Sequence, residues 1–417
     1  MVATKTKPKA KAVKKKDDEF NQFDFFNKLK TGNEYADKNI EIVTNDFIDT
    51  GSYAFNGVLT GDMTKGFPIN RISMLAGEQQ VGKSFLAQFS FCRNLVEKGY
   101  FIYLVDSEGT LTDEMVQSFG LKEEQYKILP QDIVENLRVE LNNILNIIEE
   151  KVNDKKFKGK FKVAFVLDSQ GQLDTLKSRK DTDAGKNTSD LTLQKELKKM
   201  YKNVTKRMAM LDIPFLITNH VYADNMSFIP RTIVSGGQGG LYASSIIVHL
   251  RKKQYKEGKV RKGTILVAKT YKNRFCIDGI EASIYLDFEK GLNRWYGMHL
   301  YATEANLIEK WADNDANTKK GIVGPEKAGN FNWYVIKNSK IEPKDWVVCK
   351  ETELHRKHTI GTIFDEINDW VKNKFKLTRP VDFSYDQEEE DLEIEESKVV
   401  DTAKKVEEKP EKEESKD

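Results

Sequence analysis

The sequence contains few cysteines, almost no net charge and no long apolar run, and each absence excludes a class of protein. Its three cysteines, Cys92, Cys276 and Cys349, are widely spaced over 417 residues. This spacing supplies neither a disulfide framework nor a set of metal ligands, and it favours a reducing, cytoplasmic compartment. Because no apolar run approaches the length of a membrane span and the lysine-rich start lacks the apolar segment of a signal peptide, we expect no contact with a membrane.

Charge is unevenly distributed along the chain, although the formal net charge is only +2. Residues 1–16 contain seven lysines and no acidic residue. They predict a disordered basic arm, which is either a solvated tail or a non-specific contact with nucleic acid. Residues 381–417 are acidic and poor in apolar residues, and they predict a disordered tail that competes with DNA for basic surface.

One stretch organises the rest of the sequence, the run Gly-Glu-Gln-Gln-Val-Gly-Lys-Ser from Gly77 to Ser84. It fits the phosphate-loop pattern G-x-x-x-x-G-K-[ST]. An apolar, strand-like run at 72–76 precedes it, and a predicted helix at 85–98 follows it and ends before Gly99. The motif requires this strand–loop–helix context, so a chance match to a glycine-containing turn is the weaker alternative.

The residue types of this loop suit a nucleoside triphosphate with Mg²⁺. Gly77 and Gly82 allow successive backbone N–H groups to point at phosphate oxygens, and the following helix adds its positive end. Lys83 reaches the β- and γ-phosphates, and the Ser84 hydroxyl is a Mg²⁺ ligand. The predicted nucleotide-binding residues of the loop are Gly77, Glu78, Gln79, Gln80, Val81, Gly82, Lys83, Ser84 and Phe85.

Two apolar runs further along the chain end in acidic residues. Residues 100–105 lead into Asp106, Ser107 and Glu108, and residues 162–167 lead into Asp168. Both runs have the continuous apolar character of strands buried on both faces of a parallel sheet, and ligands bind beyond the carboxyl ends of such strands. We therefore expect Asp168 to orient Mg²⁺ or its bound water. The alternative is that Asp168 only ends a strand.

Two polar segments, 169–189 and 221–240, follow the strand that ends at Asp168 and the next predicted strand, 213–220. Loops of that length inside a domain are usually functional or disordered. If both strands are parallel, both loops lie at the edge of the sheet that holds the phosphate loop. One interpretation is a surface for a nucleic-acid strand, and the other is a pair of mobile, solvated loops. The charged and aromatic residues assigned to that surface are Arg179, Lys180, Lys186, Phe228 and Arg231.

The remaining pattern predicts an α/β chain with five regions. Further strands are expected at 245–250, 263–269 and 283–288, and further helices at 111–119, 134–152, 191–211 and 360–375. Four phenylalanines between positions 20 and 26 predict a short amphipathic helix that packs on this chain or on a neighbouring subunit. The regions are a basic arm 1–16, an N-terminal helix region 17–49, a core 50–295, a small C-terminal domain 296–380 and the acidic tail 381–417.

In this order the motifs resemble the RecA family of recombinases, and within it the T4-type phage branch represented by UvsX. The phosphate loop by itself indicates only an NTPase, whereas the ordered set is specific. The resemblance covers residues 20–300 strongly and 300–380 loosely. Its matching runs are 50–52 (Thr-Gly-Ser), 77–84, 106–108 (Asp-Ser-Glu), 167–171 (Leu-Asp-Ser-Gln-Gly), 219–222 (Asn-His-Val-Tyr), 236–244 (Gly-Gly-Gln-Gly-Gly-Leu-Tyr-Ala-Ser) and 272–274 (Lys-Asn-Arg).

The resemblance implies a RecA-like ATPase core with a central, mostly parallel sheet, an N-terminal helix and a small C-terminal α+β domain. It implies a DNA-dependent ATPase that uses ATP and Mg²⁺, forms helical filaments on single-stranded DNA, and promotes pairing and strand exchange with homologous double-stranded DNA. Recombination and repair would be its setting, in the cytoplasm of the host cell if a phage encodes it. A loading mediator and a single-stranded-DNA-binding protein are further implied partners.

Several individual residues take roles only through this resemblance. Glu108 matches the glutamate that polarises the attacking water, and His220 matches the residue that senses the γ-phosphate. Lys272 and Arg274 match residues that reach the ATP of the neighbouring subunit. Met115 occupies the position at which the family usually has a tyrosine stacked on adenine. The resemblance therefore assigns Met115 to the nucleotide site. The second polar segment adds Gly236, Gly237, Gly239 and Gly240 to the predicted DNA-binding residues.

Three other functions stay open at this point. A hexameric helicase motor shares the fold but would bring a separate N-terminal domain, and only a short arm precedes the core. A non-motor mediator that coats single-stranded DNA is opposed by the intact Lys83, Ser84, Glu108 and Asp168. A small-molecule kinase is opposed by the two long polar loops, which stand where a lid and a compact acceptor pocket are expected. A shared fold does not by itself decide between them.

Overall fold

The computed structural model describes residues 42–153, 161–186, 192–224, 231–257, 260–311, 317, 320–325 and 332–377. The predicted basic arm, the phenylalanine-rich helix and the acidic tail lie outside these ranges. So do Phe228 and most of a polar insert near 313–329. The predictions for those residues therefore stay predictions.

A ten-stranded sheet forms the centre of the fold, after a short ribbon of β1 (Phe47–Ile48) and β2 (Phe67–Pro68). The strands of the large sheet are β3 (Ile72–Gly77), β4 (Phe101–Asp106), β5 (Tyr126–Pro130), β6 (Val163–Asp168), β7 (Phe215–Asp224), β8 (Arg231–Val234), β9 (Ile246–Glu257), β10 (Val260–Asn273), β11 (Glu281–Asp287) and β12 (Gly291–Asn293). Their order is β12-β11-β10-β9-β3-β7-β6-β4-β5, and β8 pairs with β7. Pairs between β9 and β5 are parallel, while β8 and the strands from β10 to β12 pair antiparallel. The predicted α/β class with a mostly parallel central sheet is confirmed.

Helices cover both faces of the sheet. They are α1 (Tyr53–Thr60), α2 (a π-helix Phe85–Phe91 continued by an α-helix Cys92–Glu97), α3 (Asp113–Ser118), α4 (Val134–Asn153), α5 (Leu176–Asp183), α6 (Thr192–Met210), α7 (Gln238–Ala243), α8 (Met298–Glu304) and α9 (Phe364–Lys374). On β6, Ala164 and Val166 join the apolar core beneath α1 and α2, whereas Phe165 and Leu167 join the core beneath α4 and α6. Successive side chains of a strand point to opposite faces, so burial on both faces explains the continuous apolar runs of the sequence.

Local signals explain where several helices begin and end. The Ser52 side chain caps α1 by accepting a hydrogen bond from the backbone N–H of Phe55, and the Thr112 side chain caps α3 in the same way through Met115. Gly99, with a φ of +80°, follows α2 in the left-handed conformation that glycine adopts most easily. The predicted helices at 85–98, 111–119, 134–152, 191–211 and 360–375 are each present, the last one beginning as a 3-10 turn at Ile360–Ile363.

The two segments predicted as irregular polar loops are partly regular, so that prediction is wrong for part of each. α5 forms within the first because the Thr175 hydroxyl accepts a hydrogen bond from the Ser178 N–H at 3.0 Å. In the second, β7 continues beyond His220 and pairs with β8, with Val221 opposite Val234, and α7 follows. The extension depends on a strand partner that lies later in the chain, which local polarity does not reveal.

The described residues after β12 form a three-stranded antiparallel sheet and two helices. The strands are β13 (Ile308–Lys310), β14 (Trp333–Ile336) and β15 (Val347–Lys350). Tyr301 of α8 and Val371 of α9 pack into the same apolar core as Phe55 of α1. The predicted boundary between residues 295 and 296 stays a prediction, and residues on both sides of it share this core. Within the described ranges, no helix is both long enough and apolar enough to cross a bilayer.

Two histidines lie side by side in this C-terminal part. The ring centroids of His299 and His355 are 4.6 Å apart, and Tyr296 lies 4.4 Å from His355. Burial lowers the pKa of His355 to about 3, and the neighbouring His299 contributes in the same direction. Burial also lowers the pKa of His299, which the charge of Glu351 opposes. Both imidazoles are therefore neutral in the folded chain at physiological pH.

We expect this pair to make the folded state sensitive to acid. An unfolded histidine titrates near 6.5, so below that pH the unfolded chain binds protons that the folded chain does not, and stability falls as the pH drops. Between pH 7 and pH 5, the free energy of unfolding of the His355→Gln variant should fall by about 1–2 kcal/mol less than that of the unaltered protein. Denaturant unfolding at both pH values measures the difference. Equal losses in the two proteins would show that His355 does not contribute.

Candidate functional site

The predicted phosphate loop connects the end of β3 with the start of the helix that includes α2. A Cβ atom at Gly77 would lie 2.7 Å from the carbonyl oxygen of Leu250 on the neighbouring strand β9. Gly82 has a φ of +90°, a conformation that residues with a side chain rarely adopt. Both glycines are thus required by the path of the backbone, and the strand–loop–helix context that the sequence predicted is present.

Lys83 lies folded over this loop, with its side chain buried. Its ammonium donates hydrogen bonds to the carbonyl oxygens of Gly77 at 2.9 Å and Glu78 at 2.7 Å. Burial lowers the pKa of Lys83, and the carboxylates of Asp168, Glu108 and Glu78 oppose that shift. The Lys83 ammonium therefore lies among backbone carbonyls, with carboxylates nearby. A phosphate group bound by the loop would contact it there.

A cleft of about 440 Å³ opens above the loop, at the carboxyl ends of β3, β4, β6 and β7. Because these strands are parallel neighbours, residues distant in the sequence meet at this edge of the sheet. Glu108, Asp168 and His220 face the same cleft as Lys83, as the sequence predicted. The residues that line it are Gln79, Gln80, Gly82, Lys83, Ser84, Phe85, Glu108, Asp168, Gln172 and His220.

Asp168 ends β6 and is held by two donors from within the protein. The Gln88 amide on α2 donates to Oδ2 at 2.6 Å, and the Thr218 hydroxyl on β7 donates to Oδ1. The side chain is only 8% exposed, so water solvates it little. Each oxygen keeps a further lone pair, so the carboxylate can still accept from a ligand or from metal-bound water.

Glu108 is positioned by a hydrogen-bond network at the ends of β4 and β6. Buried Asp106 accepts backbone N–H bonds from Glu108, Gly109 and Leu111, which fixes the turn after β4. The Ser169 hydroxyl donates to Oε1 of Glu108 at 2.9 Å and lies 3.3 Å from Nε2 of His220. Nε2 of His220 is 3.5 Å from Glu108. The Glu108 carboxylate and the His220 imidazole therefore face the cleft beside a shared neighbour, the Ser169 hydroxyl, and can orient a water molecule there.

The donor set of the cleft fits a magnesium-bound triphosphate. The exposed Ser84 hydroxyl and the Asp168 carboxylate are oxygen ligands of the kind that Mg²⁺ prefers, and Lys83 with the loop N–H groups suits phosphate oxygens. Among the residues described, no group of three or more His, Cys, Asp or Glu side chains is placed to hold a metal ion by itself.

Six residues assigned to the nucleotide site by the sequence do not line this cleft. Three belong to the phosphate loop, Gly77, Glu78 and Val81, and three lie outside it, Met115, Lys272 and Arg274. Met115 lies on α3 with 38% of its surface exposed. The Lys272 ammonium donates to the carbonyl oxygens of Leu241 at 2.7 Å and Tyr242 at 3.2 Å, at the end of α7. Burial and the charge of Arg274 lower the pKa of Lys272. Arg274 itself is exposed. The chain does not bring Lys272 and Arg274 to its own cleft, so their assignment to the ATP site of a neighbouring subunit stays a prediction. The assignment of Met115 to the nucleotide site also stays a prediction.

Three of the basic residues assigned to DNA are on or near α5, and the fourth, Arg231, is on β8. Lys180 and Lys186 are exposed, whereas Arg179 forms an ion pair with Asp132. Arg231 begins β8, which pairs with the continuation of β7. A contact of Arg179 with DNA would therefore compete with its contact to Asp132.

The glycine-rich run of the second segment has a packing role. A Cβ atom at Gly236 would lie 2.6 Å from Nε2 of Gln170, and one at Gly240 would lie 2.6 Å from Oε1 of the same amide. At Gly237 and Gly239 a Cβ atom would meet Gln194 and the backbone of Lys198 on α6. These glycines allow the turn and α7 to pack closely on Gln170 and α6, and their contact with DNA stays a prediction.

Sequence reasoning missed the residues that support the predicted ones. Gln88, Ser169 and Thr218 bond directly to Asp168 or Glu108, and Gln172 lines the cleft. One signal was available for Gln88, which is a polar residue four positions after Ser84 and therefore on the same face of a helix. Thr218 had no such signal, because its contact depends on the pairing of β6 with β7.

Comparison with known proteins gives one similarity. No protein-family model matches the chain. Over 263 residues, the chain is 28% identical to the "Recombination and repair protein" of Enterobacteria phage T4, and the match covers 62% of each protein. The chain thus spans less than two thirds of that relative's length. At this identity and coverage, the similarity indicates a distant relationship.

Proposed function

We propose that this protein is an ATP-dependent DNA recombinase that assembles on single-stranded DNA and pairs it with a homologous duplex. The observation that supports this most is the cleft in which Lys83, Glu108, Asp168 and His220 converge at the ends of neighbouring parallel strands. The similarity to a phage recombination and repair protein supports the choice of DNA as the substrate. The order of the other motifs favours a recombinase over other NTPases.

In this proposal the residues of the cleft divide the work of hydrolysis. Lys83 exchanges its bonds to the carbonyls of Gly77 and Glu78 for bonds to the β- and γ-phosphates. Glu108, oriented by Ser169, polarises the attacking water. His220 lies 3.5 Å from Glu108 and begins the segment that leads to β8, so it can respond to the γ-phosphate and move that segment. Ser84 and Asp168 would hold Mg²⁺, which would neutralise negative charge on the phosphates.

The proposed DNA surface consists of α5 and the β7–β8 segment with the glycine turn, next to the same edge of the sheet. Phosphate contacts there make affinity fall steeply with salt. Lys272 and Arg274 complete the site of a neighbouring subunit, so hydrolysis depends on assembly into a helical filament. A loading mediator and a single-stranded-DNA-binding protein are the proposed accessory partners.

Removal of the acidic tail is expected to tighten DNA binding. Residues 386–417 are crowded with Asp and Glu, and they compete with DNA for basic surface in this proposal. A chain that ends at Tyr385 should therefore bind single-stranded DNA several-fold more tightly at low salt, and the difference should shrink as salt screens the charges. Fluorescence anisotropy measures both affinities. A chain whose tail acids are replaced by Gln and Ser at equal length is the control, and unchanged affinity in it would refute the competition.

The proposed function is tested by homologous pairing. A labelled single-stranded oligonucleotide is incubated with the protein, ATP, Mg²⁺ and a duplex that is either homologous or unrelated. We expect a joint molecule with the homologous duplex only, and only while ATP is present. Unwinding of a forked duplex without homology would favour a helicase motor, and DNA binding without ATP hydrolysis would favour a mediator. Either result in place of pairing would overturn the proposal.

A further inference from the structure

We propose that Gln88 is a positioning residue of the cleft, which holds the Asp168 carboxylate in the orientation that a magnesium-bound nucleotide requires. The inference rests on the proposed nucleotide site, and it concerns a residue that no sequence motif includes. Gln88 lies on α2 with only 4% of its surface exposed, and its Nε2 is 2.6 Å from Oδ2 of Asp168. It does not line the cleft, so it acts through Asp168.

The chemistry of the pair determines how the amide is oriented. An ionised carboxylate can only accept hydrogen bonds, so the amide atom that faces Asp168 has to be the nitrogen. The carbonyl oxygen of Gln88 is then left buried, and it has no hydrogen-bond partner among the described residues. Burying an unmatched acceptor costs stability. Gln88 makes its single bond to Asp168 in spite of that cost, which indicates a functional constraint on the carboxylate.

The helix that carries Gln88 has an unusual form at this point. Residues Phe85–Phe91 are π-helical, a conformation that is rare and frequent at functional sites. Ser84, the predicted Mg²⁺ ligand, precedes Gln88 by four positions, so both lie on the side of the helix that faces Asp168. The start of this helix therefore places the Ser84 hydroxyl at the cleft and the Gln88 amide against the Asp168 carboxylate.

A second donor shows how little freedom Asp168 retains. The Thr218 hydroxyl donates to Oδ1, while Gln88 donates to Oδ2. A donor on each oxygen fixes the rotation of the carboxylate plane and leaves the remaining lone pairs for the cleft. Loss of Gln88 would free one oxygen, and a carboxylate free to rotate binds a metal shell less well. Partners of this kind typically change metal affinity or activity by about 10–100-fold when they are altered.

The first test uses Gln88→Met, which keeps the length of the side chain and removes the donor. The probe is a fluorescent ATP analogue bound in a titration with MgCl₂, alongside kcat and KM for ATP hydrolysis. We expect the Mg²⁺ concentration at half-maximal binding to rise about tenfold or more and kcat to fall by a similar factor. Ser90→Ala is the control, because Ser90 is buried on the same helix but donates to the carbonyl of Thr50. It should leave the Mg²⁺ dependence unchanged.

The second test uses Gln88→Glu and keeps the proposal falsifiable if Gln88→Met fails to fold. The ionised carboxylate has no hydrogen to donate to Asp168 and repels it, so the Mg²⁺ concentration at half-maximal binding should again rise about tenfold or more. A purely structural role would lower the amount of folded protein and leave that Mg²⁺ concentration unchanged. Melting temperatures measured in parallel correct for loss of folded protein.

The outcomes separate this inference from the proposed function. If the unaltered protein binds the magnesium-bound analogue but does not pair DNA, the proposed recombinase is wrong, while a shifted Mg²⁺ dependence in the variants still supports Gln88. If the unaltered protein pairs DNA and both variants keep its Mg²⁺ dependence and kcat, the role of Gln88 is overturned. A protein that binds no nucleotide at all would overturn both.

Discussion

The Glu108→Gln variant is expected to bind ATP and lose its hydrolysis. Glu108 lies in the cleft with Lys83 and Asp168, and the Ser169 hydroxyl bonded to its carboxylate at 2.9 Å gives it a defined orientation. The amide keeps the shape of the side chain but cannot polarise water as the carboxylate does. The rate of phosphate release should therefore fall by about 10²–10⁴-fold, the usual contribution of general acid–base catalysis.

Binding of the nucleotide should survive in this variant, because Glu108 is not part of the phosphate loop. Filaments formed with ATP should then persist on DNA, since hydrolysis no longer releases them. Glu114→Gln is the matched control: this exposed acid on α3 lies outside the cleft, and its loss should leave the rate unchanged. A Glu108→Gln protein that hydrolyses ATP within a factor of about two of normal would remove Glu108 from the mechanism.

Mixing two inactive variants is expected to restore activity if the site is shared between subunits. Lys272 does not line the cleft of its own chain, and its ammonium bonds to carbonyls at the end of α7. Lys83→Ala damages the phosphate loop of its own chain, whereas Lys272→Ala damages the site of the neighbour. In a random one-to-one filament with head-to-tail contacts, about a quarter of the sites combine an intact loop with an intact neighbouring Lys272.

A matched pair of variants controls for this result. Glu108→Gln mixed with Lys83→Ala places one lesion in every site, because both residues belong to the cleft of the same chain. That mixture should stay inactive at every ratio. Recovery with Lys272→Ala and none with Glu108→Gln would support a site completed across two chains. If the Lys272→Ala mixture also stays inactive at every ratio, catalysis in trans is refuted.

The sequence predicted those parts of the fold that local pattern determines. The apolar runs before Asp106 and Asp168 are strands because burial on both faces leaves no place for polar residues within them. The loop from Gly77 to Ser84 could be recognised because its glycines are needed for the backbone path, as the close approach of Leu250 shows. Together with the strand predicted at 213–220, these elements predicted Glu108, Asp168 and His220 at one edge of the sheet if the strands are parallel, while the roles of Glu108 and His220 came from the resemblance.

Features that depend on distant partners were not predictable. The extension of β7 beyond His220 requires β8, and the contact of Thr218 with Asp168 requires the order of strands β6 and β7. The spacing of Gln88 from Ser84 indicates the face of the helix on which Gln88 lies, but its partner Asp168 is known only once α2 and β6 are placed side by side. The positions of Lys272 and Arg274 relative to a neighbouring nucleotide belong to an assembly, which a single chain does not define.

The central claim, that DNA-dependent assembly completes an ATP hydrolysis site, is tested most directly by the rate of ATP hydrolysis with and without long single-stranded DNA. Electron micrographs of the same mixtures show which assembly forms. We predict a low rate without DNA, a strong rise with single-stranded DNA that declines as salt increases, and helical filaments under the active conditions. A rate that is the same with and without DNA, or activity accompanied by closed rings in place of filaments, would contradict the claim.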